Sequence, residues 1–496
     1  MLKKLVERYD KQVHRFLEIL PGTFSWSLIL FPVWGSFWIP HYVAYYIILF
    51  DIIWFYKSGA FAFSALISHL KMNASARYDW LADARKLPNF ENVHHLIVIP
   101  TYKEPLHTLE KGLNSIVNQD FPKSQISVIL GFEAREGRDA KVKAGELAAK
   151  YESRFANLLI TFHPDIPGEV KGKSSNEAYA GKYAKKILVD REGRDINFIT
   201  VTSKDADGVL SEKYLSAVTH KFLTTEDRHL RFWQPVVLFY NNIWRVPAPI
   251  RVMNSLGSVW QTGLTSRTDK LINFSMYSLS LKLLDEVGYW DVDVIPEDFR
   301  IFFKSYFAKS GKVEVEPMFL PAYADAAEST SYFKSLVNFY EQEKRWAWGV
   351  SDDPYFIKKW LTHPHIPLAQ RTVRVARVLA DHFFWPVNWF AITLGANIPV
   401  LLNPLFAQTV MGQNLPRVSF GILTSCWLFL AIIVFLDLKQ RPKRDQQVSF
   451  LRKILTPFEY VLLPVVTFIF TALPGIDAHT RLMLGKYLEY RVTEKV

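Results

Sequence analysis

Length, composition and charge exclude several classes of protein. The chain has 496 residues, 49% of them hydrophobic and 15% aromatic, which is more apolar than a typical soluble protein and long enough for two or three domains. Its 59 Lys and Arg against 48 Asp and Glu give a net charge of +11, which suits anionic lipids and phosphate-bearing ligands. No nucleic-acid recognition module accompanies this charge, so we expect no nucleic-acid partner. The single cysteine, Cys426, excludes a disulfide framework and a thiolate metal site.

The N-terminal residues predict an amphipathic helix followed by a transmembrane hairpin. Residues 1–22 interleave Lys and Arg with Leu, Val and Phe and carry no compact apolar run ending in small residues. We therefore expect a retained amphipathic segment rather than a signal peptide. Two apolar runs follow, at 24–38 and 42–56, each shorter than the ~20 residues of a typical spanning helix. Together, with Trp and Tyr at their ends, they predict a transmembrane hairpin within residues 23–72.

Residues 73–328 alternate strand-like and helix-like patterns. Apolar runs at 96–100 and 126–130 are each followed by a helical pattern, and a later run at 196–201 leads directly into Lys204-Asp-Ala-Asp-Gly208. This alternation predicts an α/β domain with a Rossmann-like sheet, inserted between N-terminal and C-terminal transmembrane helices. It also places Asp205 and Asp207 at the carboxyl end of a strand, where open α/β sheets bind ligands.

Apolar runs return after this domain. We expect interfacial amphipathic helices in residues 329–378 and transmembrane helices in 379–438, with apolar runs at 383–402 and 420–436. Residues 439–496 predict a basic loop, an apolar segment near 460–473 and a C-terminal tail. Pro464 and Pro474 favour a kinked or re-entrant segment there over a straight span.

The charges of the loops predict an orientation. The loop 439–453 holds six Lys and Arg, whereas residues 403–416 hold none. The positive-inside rule therefore places the basic loop, and with it the α/β domain, on the cytosolic side of a cell membrane that the chain crosses several times.

The pair Asp205 and Asp207 admits two interpretations. A lone Asp-x-Asp-Gly is usually a turn whose Asp side chains bond nearby backbone amides. Alternatively, two carboxylates at this spacing can hold a divalent metal, and hard oxygen ligands favour Mg²⁺ or Mn²⁺. Such a metal would stabilise the charge that grows on the diphosphate leaving group of an activated sugar.

Asp298 lies just before a predicted helix at 299–307 and also admits two interpretations. Glu297 and Asp298 are both placed to complement the helix macrodipole, with Pro296 in the first turn. In the second interpretation Asp298 is a general base that removes the proton from an attacking hydroxyl, with Glu297 as the second candidate catalytic residue. One carboxylate suffices for a single in-line displacement with inversion, whereas glycoside hydrolysis uses a pair.

Gln342, Arg345 and Trp346 share one face of a predicted helix at 331–350. A guanidinium suits a departing diphosphate, and an indole suits the apolar face of a sugar ring. The alternative is an interfacial helix whose Arg extends to the lipid headgroups and whose Trp anchors there.

In this order the motifs resemble glycosyltransferase family 2, in particular its membrane-embedded, processive β-glycosyltransferases of the cellulose-synthase-like and hyaluronan-synthase-like kind. The segments that carry the resemblance are Val98-Ile-Pro-Thr-Tyr-Lys-Glu104, Lys171-Gly-Lys-Ser-Ser-Asn176, Asp205 with Asp207, Glu286-Val-Gly-Tyr-Trp290, Glu297-Asp298 and Gln342 to Trp346. The resemblance implies a GT-A fold, a nucleoside-diphosphate sugar donor with UDP-sugar foremost, a divalent metal and an inverting mechanism at a membrane.

The resemblance also implies roles for single residues of the donor site. Thr101 and Glu104 would line the nucleotide pocket, and Lys173 would approach the donor. Asp205 would contact donor and metal, and Asp207 would hold the metal.

The resemblance implies roles for further residues that match the family's motifs by position. Arg345 would bind the diphosphate, and Gln342 and Trp346 would form the acceptor site. Gly131-Phe-Glu133 replaces the Asp pair of many relatives, which makes Glu133 a candidate uracil or ribose contact. Phe274-Ser-Met-Tyr-Ser278 replaces the acceptor motif of cellulose and hyaluronan synthases, which leaves both products open.

The end of the chain, Tyr490-Arg-Val-Thr-Glu-Lys495, resembles the gating loop of cellulose synthases. This implies that Thr493 and Lys495 reach the diphosphate of a bound donor.

These observations predict a membrane-bound enzyme that moves a sugar from a nucleoside-diphosphate sugar to a saccharide acceptor in polysaccharide synthesis. One alternative is single-sugar transfer to a polyprenyl phosphate or a glycolipid. Another is a non-catalytic membrane scaffold or saccharide conduit that keeps the fold. The expected partners are the sugar nucleotide, a saccharide or lipid-linked acceptor, and membrane lipid.

Overall fold

A computed structural model describes residues 2–444 and 455–489 of the chain. These residues form two compact units. The first, here called the helical unit, comprises residues 2–67, 244–263, 330–444 and 455–489. The second, the sheet unit, comprises residues 68–243 and 264–329. The six-part division expected from the sequence stays a prediction.

The α-helices follow one another along both units. In the described residues they are α1 Leu2–Arg8, α2 Asp10–Trp38, α3 Pro40–Arg77, α4 Trp80–Ala84, α5 Leu106–Val117, α6 Arg138–Tyr151, α7 Lys173–Lys185, α8 Tyr214–Thr224, α9 Ala248–Thr265, α10 Leu281–Glu286, α11 Glu297–Ala308, α12 Tyr332–Ala347, α13 Asp353–Thr362, α14 Leu368–Phe384, α15 Asn388–Thr393, α16 Ile398–Leu402, α17 Pro404–Ala407, α18 Val410–Ser425, α19 Trp427–Gln440, α20 Leu463–Thr467 and α21 Leu473–Met483.

One mixed sheet forms the centre of the sheet unit. Its strands are β1 His94–Thr101, β2 Ile126–Glu133, β3 Asn157–His163, β4 Ile199–Ser203, β5 Val209–Leu210, β6 Arg231–Leu238, β7 Tyr277–Ser280 and β8 Glu314–Tyr323. They lie in the order β3-β2-β1-β4-β7-β6-β8-β5. Strands β3, β2, β1 and β4 are parallel, and β7 pairs antiparallel with both β4 and β6.

The inner parallel strands β1, β2 and β4 are buried, whereas the edge strand β3 is mostly half-buried. Every residue of β2 and β4 is buried, as expected of strands in a doubly wound sheet between helices. Helices α5, α6 and α7 lie between successive parallel strands in the sequence. The predicted α/β fold class, with apolar helices toward both ends of the chain, is confirmed.

Four helical segments of the described residues are long and apolar enough to cross a membrane: Asp10–Trp38, Pro40–Arg77, Val410–Gln440 and Thr456–Met483. The expected amphipathic segment begins with the separate helix α1, and its remainder joins the first apolar run in one helix, α2, which continues through Pro21.

The apolar run at 383–402 is divided into short helices. Helix α14 ends at Phe384, just before Pro386, and α16 begins again at Ile398. Proline lacks an amide hydrogen and its ring clashes with the preceding turn, so Pro386 cannot continue α14 without a kink. The last apolar segment is helical with a 3₁₀ turn at Thr456–Leu462 and a π-helical turn at Phe468–Ala472. Whether it spans or re-enters stays a prediction.

A close packing contact in the sheet unit fixes the loop after β4. Gly112 of α5 faces this loop, and a Cβ at Gly112 would lie 2.6 Å from the Ala206 carbonyl oxygen. It would also lie 2.8 Å from Lys204 Nζ. The absence of a side chain at Gly112 therefore lets the helix approach the loop that carries Asp205 and Asp207.

We predict that Gly112→Ala lowers the free energy of unfolding by about 1–3 kcal/mol, because an added methyl group has no space against a backbone carbonyl. The control is Gly145→Ala in α6, where a Cβ would meet nothing within 4 Å. It should stabilise by about 0.5–1 kcal/mol, since glycine is unfavourable inside a helix. Denaturant unfolding of both variants in detergent checks the pair, and equal effects would contradict the packing argument.

Candidate active site

The strand order places a crevice beside the carboxyl end of β1. Strand β2 lies on one side of β1 and β4 on the other, so the chain reverses its direction across the sheet between β1 and β4. Ligands of open α/β sheets bind at such switch points, outside the carboxyl ends of the strands. Thr101 ends β1, and Asp205 follows the last residue of β4, Ser203, by two positions.

Asp205 and Asp207 lie in a tight turn, and their side chains bond to distant segments of the chain. The Gly208 amide donates to the Asp205 carbonyl oxygen at 2.9 Å, which forms the turn. Asp205 Oδ1 lies 2.9 Å from Lys173 Nζ, and Asp205 Oδ2 accepts from Ser275 Oγ at 2.5 Å. Asp207 Oδ2 accepts from the Asp325 amide at 2.7 Å. The carboxylates therefore connect the turn to α7, to the segment before β7 and to the segment after β8.

Lys173, the first residue of α7, stands at the centre of a carboxylate cluster. Its Nζ lies 2.7 Å from Glu297 Oε1, 2.9 Å from Asp205 Oδ1 and 3.6 Å from Asp298 Oδ1. It also donates to the Ser275 carbonyl oxygen at 3.1 Å. Only 14% of its side chain is exposed. Three acids from two separate segments thus converge on one ammonium group.

Ser275 connects the same groups through a different set of bonds. Its amide donates to Asp298 Oδ2 at 2.7 Å, and its hydroxyl donates to Asp205. Ser275 has φ 56°, in the left-handed region that disfavours side chains other than glycine. That backbone conformation aims the amide, hydroxyl and carbonyl of one residue at Asp298, Asp205 and Lys173. Asp298 Oδ1 is buried and has no hydrogen-bond partner within the described part of the chain.

The charges of the cluster shift its pKa values. Burial raises the pKa of Asp298 well above its usual range and Glu297 raises it further, while Lys173 opposes both. Burial lowers the pKa of Lys173, but Asp205, Asp298 and Glu297 outweigh it and hold that pKa above its usual value. A cation beside Asp298 would favour its ionised form.

The acidic residues fit a divalent cation only in combination with a ligand. In residues 2–444 and 455–489 no group of three His, Cys, Asp or Glu side chains is arranged to hold a metal ion. Asp205 and Asp207 do supply the hard oxygen atoms that Mg²⁺ and Mn²⁺ prefer. Mg²⁺ is commonly held by one or two carboxylates together with substrate phosphates. The pair therefore fits a metal that arrives with a phosphate-bearing ligand.

The remaining sequence-predicted residues of the sheet unit surround the ends of β1 and β2. The Thr101 hydroxyl is buried without a hydrogen-bond partner among the described residues. Glu104 is buried, and its carbonyl accepts from Lys143 at 2.8 Å. Glu133 ends β2 and pairs with Arg135, whose guanidinium carbon lies 3.9 Å from the centroid of the Tyr102 ring. A small open pocket adjoins Glu133 and Arg135 and reaches His163 at the end of β3.

Gln342, Arg345 and Trp346 lie on α12, in the helical unit. Gln342 is buried, and its Oε1 has no hydrogen-bond partner in the chain as described. Arg345 is half-buried, and Trp346 is 39% exposed. Their proposed contacts with diphosphate and acceptor stay predictions. Thr493 and Lys495 lie outside the described residues.

Two residues of the cluster were not predicted from the sequence, Ser275 and Glu177. Ser275 occurs in a segment noted only for its departure from the family motif, and its positive φ leaves no local signature. Glu177 lies one helical turn after Lys173 and is fully buried. The only sequence signal for Glu177 was an acidic residue at i+4 from Lys173 on a helix whose other buried positions are mostly small.

Comparison with protein families bears on the identity of this site. Residues 201–438 match the family described as Glycosyl transferase family group 2. The matched segment contains Asp205, Asp207, Ser275, Asp298 and Trp346. The resemblance to glycosyltransferase family 2 is confirmed. The narrower cellulose-synthase-like and hyaluronan-synthase-like assignment stays a prediction within that family.

Two solved structures illustrate what the chain is similar to. One is the mannosyltransferase PcManGT from Pyrobaculum calidifontis in complex with GDP-Man and Mn²⁺, at 14% identity and a TM-score of 0.44, covering 80% of this chain and 100% of that chain. Another is S. aureus TarS 1–349 in complex with UDP-GlcNAc, at 15% identity and a TM-score of 0.37, covering 80% and 93%. Comparison with curated proteins finds no match for the sequence.

Glu343, beside Gln342 on α12, is a buried acid with a strongly shifted pKa. Burial raises the pKa of Glu343 from 4.5 to about 8. The folded chain therefore binds this proton more tightly than the unfolded chain does. The stability gained from that proton is complete below the unfolded pKa and is lost as the pH rises through the folded pKa.

We predict that Glu343→Gln becomes more stable relative to the unmodified chain as the pH rises from about 5 to about 9, because the amide has no proton to lose. Thermal unfolding in detergent across this range measures the difference. Glu341→Gln on the same helix is the control, since Glu341 is partly exposed and pairs with Lys344 at 2.8 Å. A Glu343→Gln difference that does not change with pH would contradict the burial argument.

Proposed function

We propose that the chain is a membrane-bound, inverting glycosyltransferase that moves a sugar from a nucleoside-diphosphate sugar to a saccharide acceptor in polysaccharide synthesis. The observation that carries this proposal is the convergence of Asp205, Glu297 and Asp298 on Lys173, within 2.7–3.6 Å, at the switch point of the sheet. The family match over residues 201–438 supports the chemistry. The positive-inside distribution of charge supports a cytosolic donor site.

Asp298 is the general base of the proposal. Ser275 holds Asp298 Oδ2 through its amide, and Asp298 Oδ1 has no hydrogen-bond partner among the described groups. This oxygen, which lies 3.6 Å from Lys173 Nζ, is suited to accept the proton of an acceptor hydroxyl as that hydroxyl attacks the anomeric carbon, once a cation in the site favours the ionised carboxylate. A single base serves one in-line displacement, so the product is inverted. Glu297 pairs with Lys173 and supports the base by fixing the ammonium group beside it.

Lys173 and the Asp205–Asp207 pair form the donor side. A divalent metal held by Asp205 and Asp207 would supply positive charge to the diphosphate leaving group. Lys173, charged and close to Asp205, is suited to contact the same diphosphate. Arg345, Thr493 and Lys495 would add positive charge at this group, and Gln342 with Trp346 would hold the acceptor. Thr101, Glu104 and Glu133 would hold the nucleoside of a donor such as a UDP-sugar.

A screen of nucleotide sugars tests the activity. Purified protein in lipid vesicles should release nucleoside diphosphate from at least one donor when an acceptor is present. The size of the product separates two outcomes. A ladder of increasing chain length indicates polymer synthesis, whereas one lipid-soluble species indicates single-sugar transfer to a polyprenyl phosphate or glycolipid.

We predict that Asp298→Asn lowers kcat by about 10²–10⁴-fold with a smaller change in donor KM, since the amide cannot accept the proton. The control is Asp293→Asn, an exposed carboxylate in the same loop. Steady-state release of nucleoside diphosphate measures both variants. Undiminished turnover in Asp298→Asn would favour the non-catalytic scaffold or conduit.

We also predict that a chelator abolishes turnover and that Mg²⁺ or Mn²⁺ restores it. Asp207→Asn should raise the metal concentration for half-maximal activity by about tenfold or more, because it removes a hard oxygen ligand. Asp195→Asn, before the opposite end of β4, is the matched control, where the carboxylate accepts from the Asn197 backbone amide at 2.9 Å and from the Asn197 side chain at 2.7 Å. Full activity in the presence of chelator would exclude the metal from the mechanism.

A further inference from the structure

Glu177 is an acidic residue buried beside the donor site to which the proposed reaction gives no role. It lies in the second turn of α7 and is fully inaccessible to solvent. The hydroxyl of Ser203 donates to Glu177 Oε1 at 2.6 Å. Glu177 Oε2 is buried without a hydrogen-bond partner in the described residues. A buried carboxyl group with one unsatisfied oxygen is costly, so it calls for a reason beyond helix packing.

The neighbours of Glu177 along the chain are the groups of the donor site. Lys173 precedes Glu177 by four residues, so the two side chains project from the same face of α7, one turn apart. Ser203 ends β4 and precedes Asp205 by two residues. The same helix face therefore contacts the same strand end twice, through Lys173 with Asp205 at 2.9 Å and through Glu177 with Ser203 at 2.6 Å.

These two contacts differ in what a donor would do to them. Lys173 and Asp205 are both proposed to contact the donor, so their mutual bond must weaken when the diphosphate and metal arrive. Glu177 and Ser203 are fully buried and have no proposed contact with the diphosphate or the metal. The bond between them can therefore persist when the donor binds. Other buried positions of α7 toward its C-terminus are Ala178, Ala180, Gly181 and Ala184. The helix packs through small side chains at these positions, so the hydrogen bond between Glu177 and Ser203 is not required for its packing.

We propose that Glu177 is a positioning residue, which holds the end of β4 against α7 and thereby keeps Asp205 in place when Lys173 engages the diphosphate of the donor. The inference rests on the proposed function, because it assumes a nucleotide-sugar donor at Asp205 and Lys173. Burial raises the pKa of Glu177 to about 8 and Lys173 opposes this shift, which agrees with a neutral acid that bonds Ser203 rather than a fourth charge in the cluster.

Glu177→Leu, Ser203→Ala and the double variant test the proposal through donor kinetics. Each single variant removes the same bond, so each should raise the donor KM about tenfold while kcat stays within about threefold. The double variant should be no worse than the more affected single variant, because the bond can be lost only once. Glu177→Gln keeps an acceptor for the Ser203 hydroxyl and should restore the donor KM to within about twofold.

Thr200→Val is the matched control. Thr200 lies on β4 near its other end and forms a buried bond of 2.6 Å with His95 Nδ1. This variant should lower the unfolding temperature without changing the donor KM. An equal rise in donor KM with Thr200→Val would show that any loosened strand weakens donor binding, and would overturn a specific role for Glu177.

The outcomes separate this inference from the proposed function. No release of nucleoside diphosphate by the unmodified protein with any donor would remove both. Turnover by the unmodified protein, with an unchanged donor KM in Glu177→Leu and Ser203→Ala, would overturn the role of Glu177 alone. Additive increases in the donor KM of the double variant would also overturn the role of Glu177 alone. If Glu177→Leu does not fold, the donor KM of Ser203→Ala is compared with that of Glu177→Gln. An unchanged donor KM in Ser203→Ala contradicts the proposal.

Discussion

The arrangement at the switch point depends on one ammonium group among three carboxylates. Two unit charges 4 Å apart interact by about 4 kcal/mol at the effective dielectric constant of a protein surface, so Asp205, Glu297 and Asp298 would repel one another strongly without Lys173. Lys173 cancels only one of the three charges, and burial together with the neighbouring Glu297 raises the pKa of Asp298. The cluster therefore has an excess of acid that matches a cationic ligand better than a neutral one.

The fold brings these groups together from segments that are far apart in the sequence. The carboxyl end of β4 supplies Asp205, the start of α7 supplies Lys173, and the start of α11 supplies Glu297 and Asp298. Ser275, just before β7, joins them because β7 pairs with β4 in the antiparallel direction, which brings its amino end to the carboxyl end of β4. The change from parallel to antiparallel pairing beside β4 is thus what adds Ser275 to the crevice.

Local patterns in the sequence predicted the elements that carry the site, but not the contacts that shape it. The apolar runs before Thr101, Glu133 and Asp205 indicated buried strands, since each run is short and followed by a helical pattern. The position of Ser275 was not predictable, because its left-handed backbone conformation depends on bonds to residues far along the chain. The division of the apolar run at 383–402 into short helices was not visible in its hydropathy, which does not register the break that Pro386 imposes after α14.

The unsatisfied atoms of the sheet unit include several at the mouth of this crevice. Thr101 Oγ1 at the end of β1, Asp298 Oδ1 at the start of α11 and Glu177 Oε2 on α7 are all buried and without hydrogen-bond partners in the described residues. Each such atom costs about 1–3 kcal/mol. An interior built only for stability would fill these positions with apolar side chains, because that removes the cost. Their presence around Lys173 is the pattern expected where polar groups are held ready for a ligand, and it agrees in place with the switch point of the sheet.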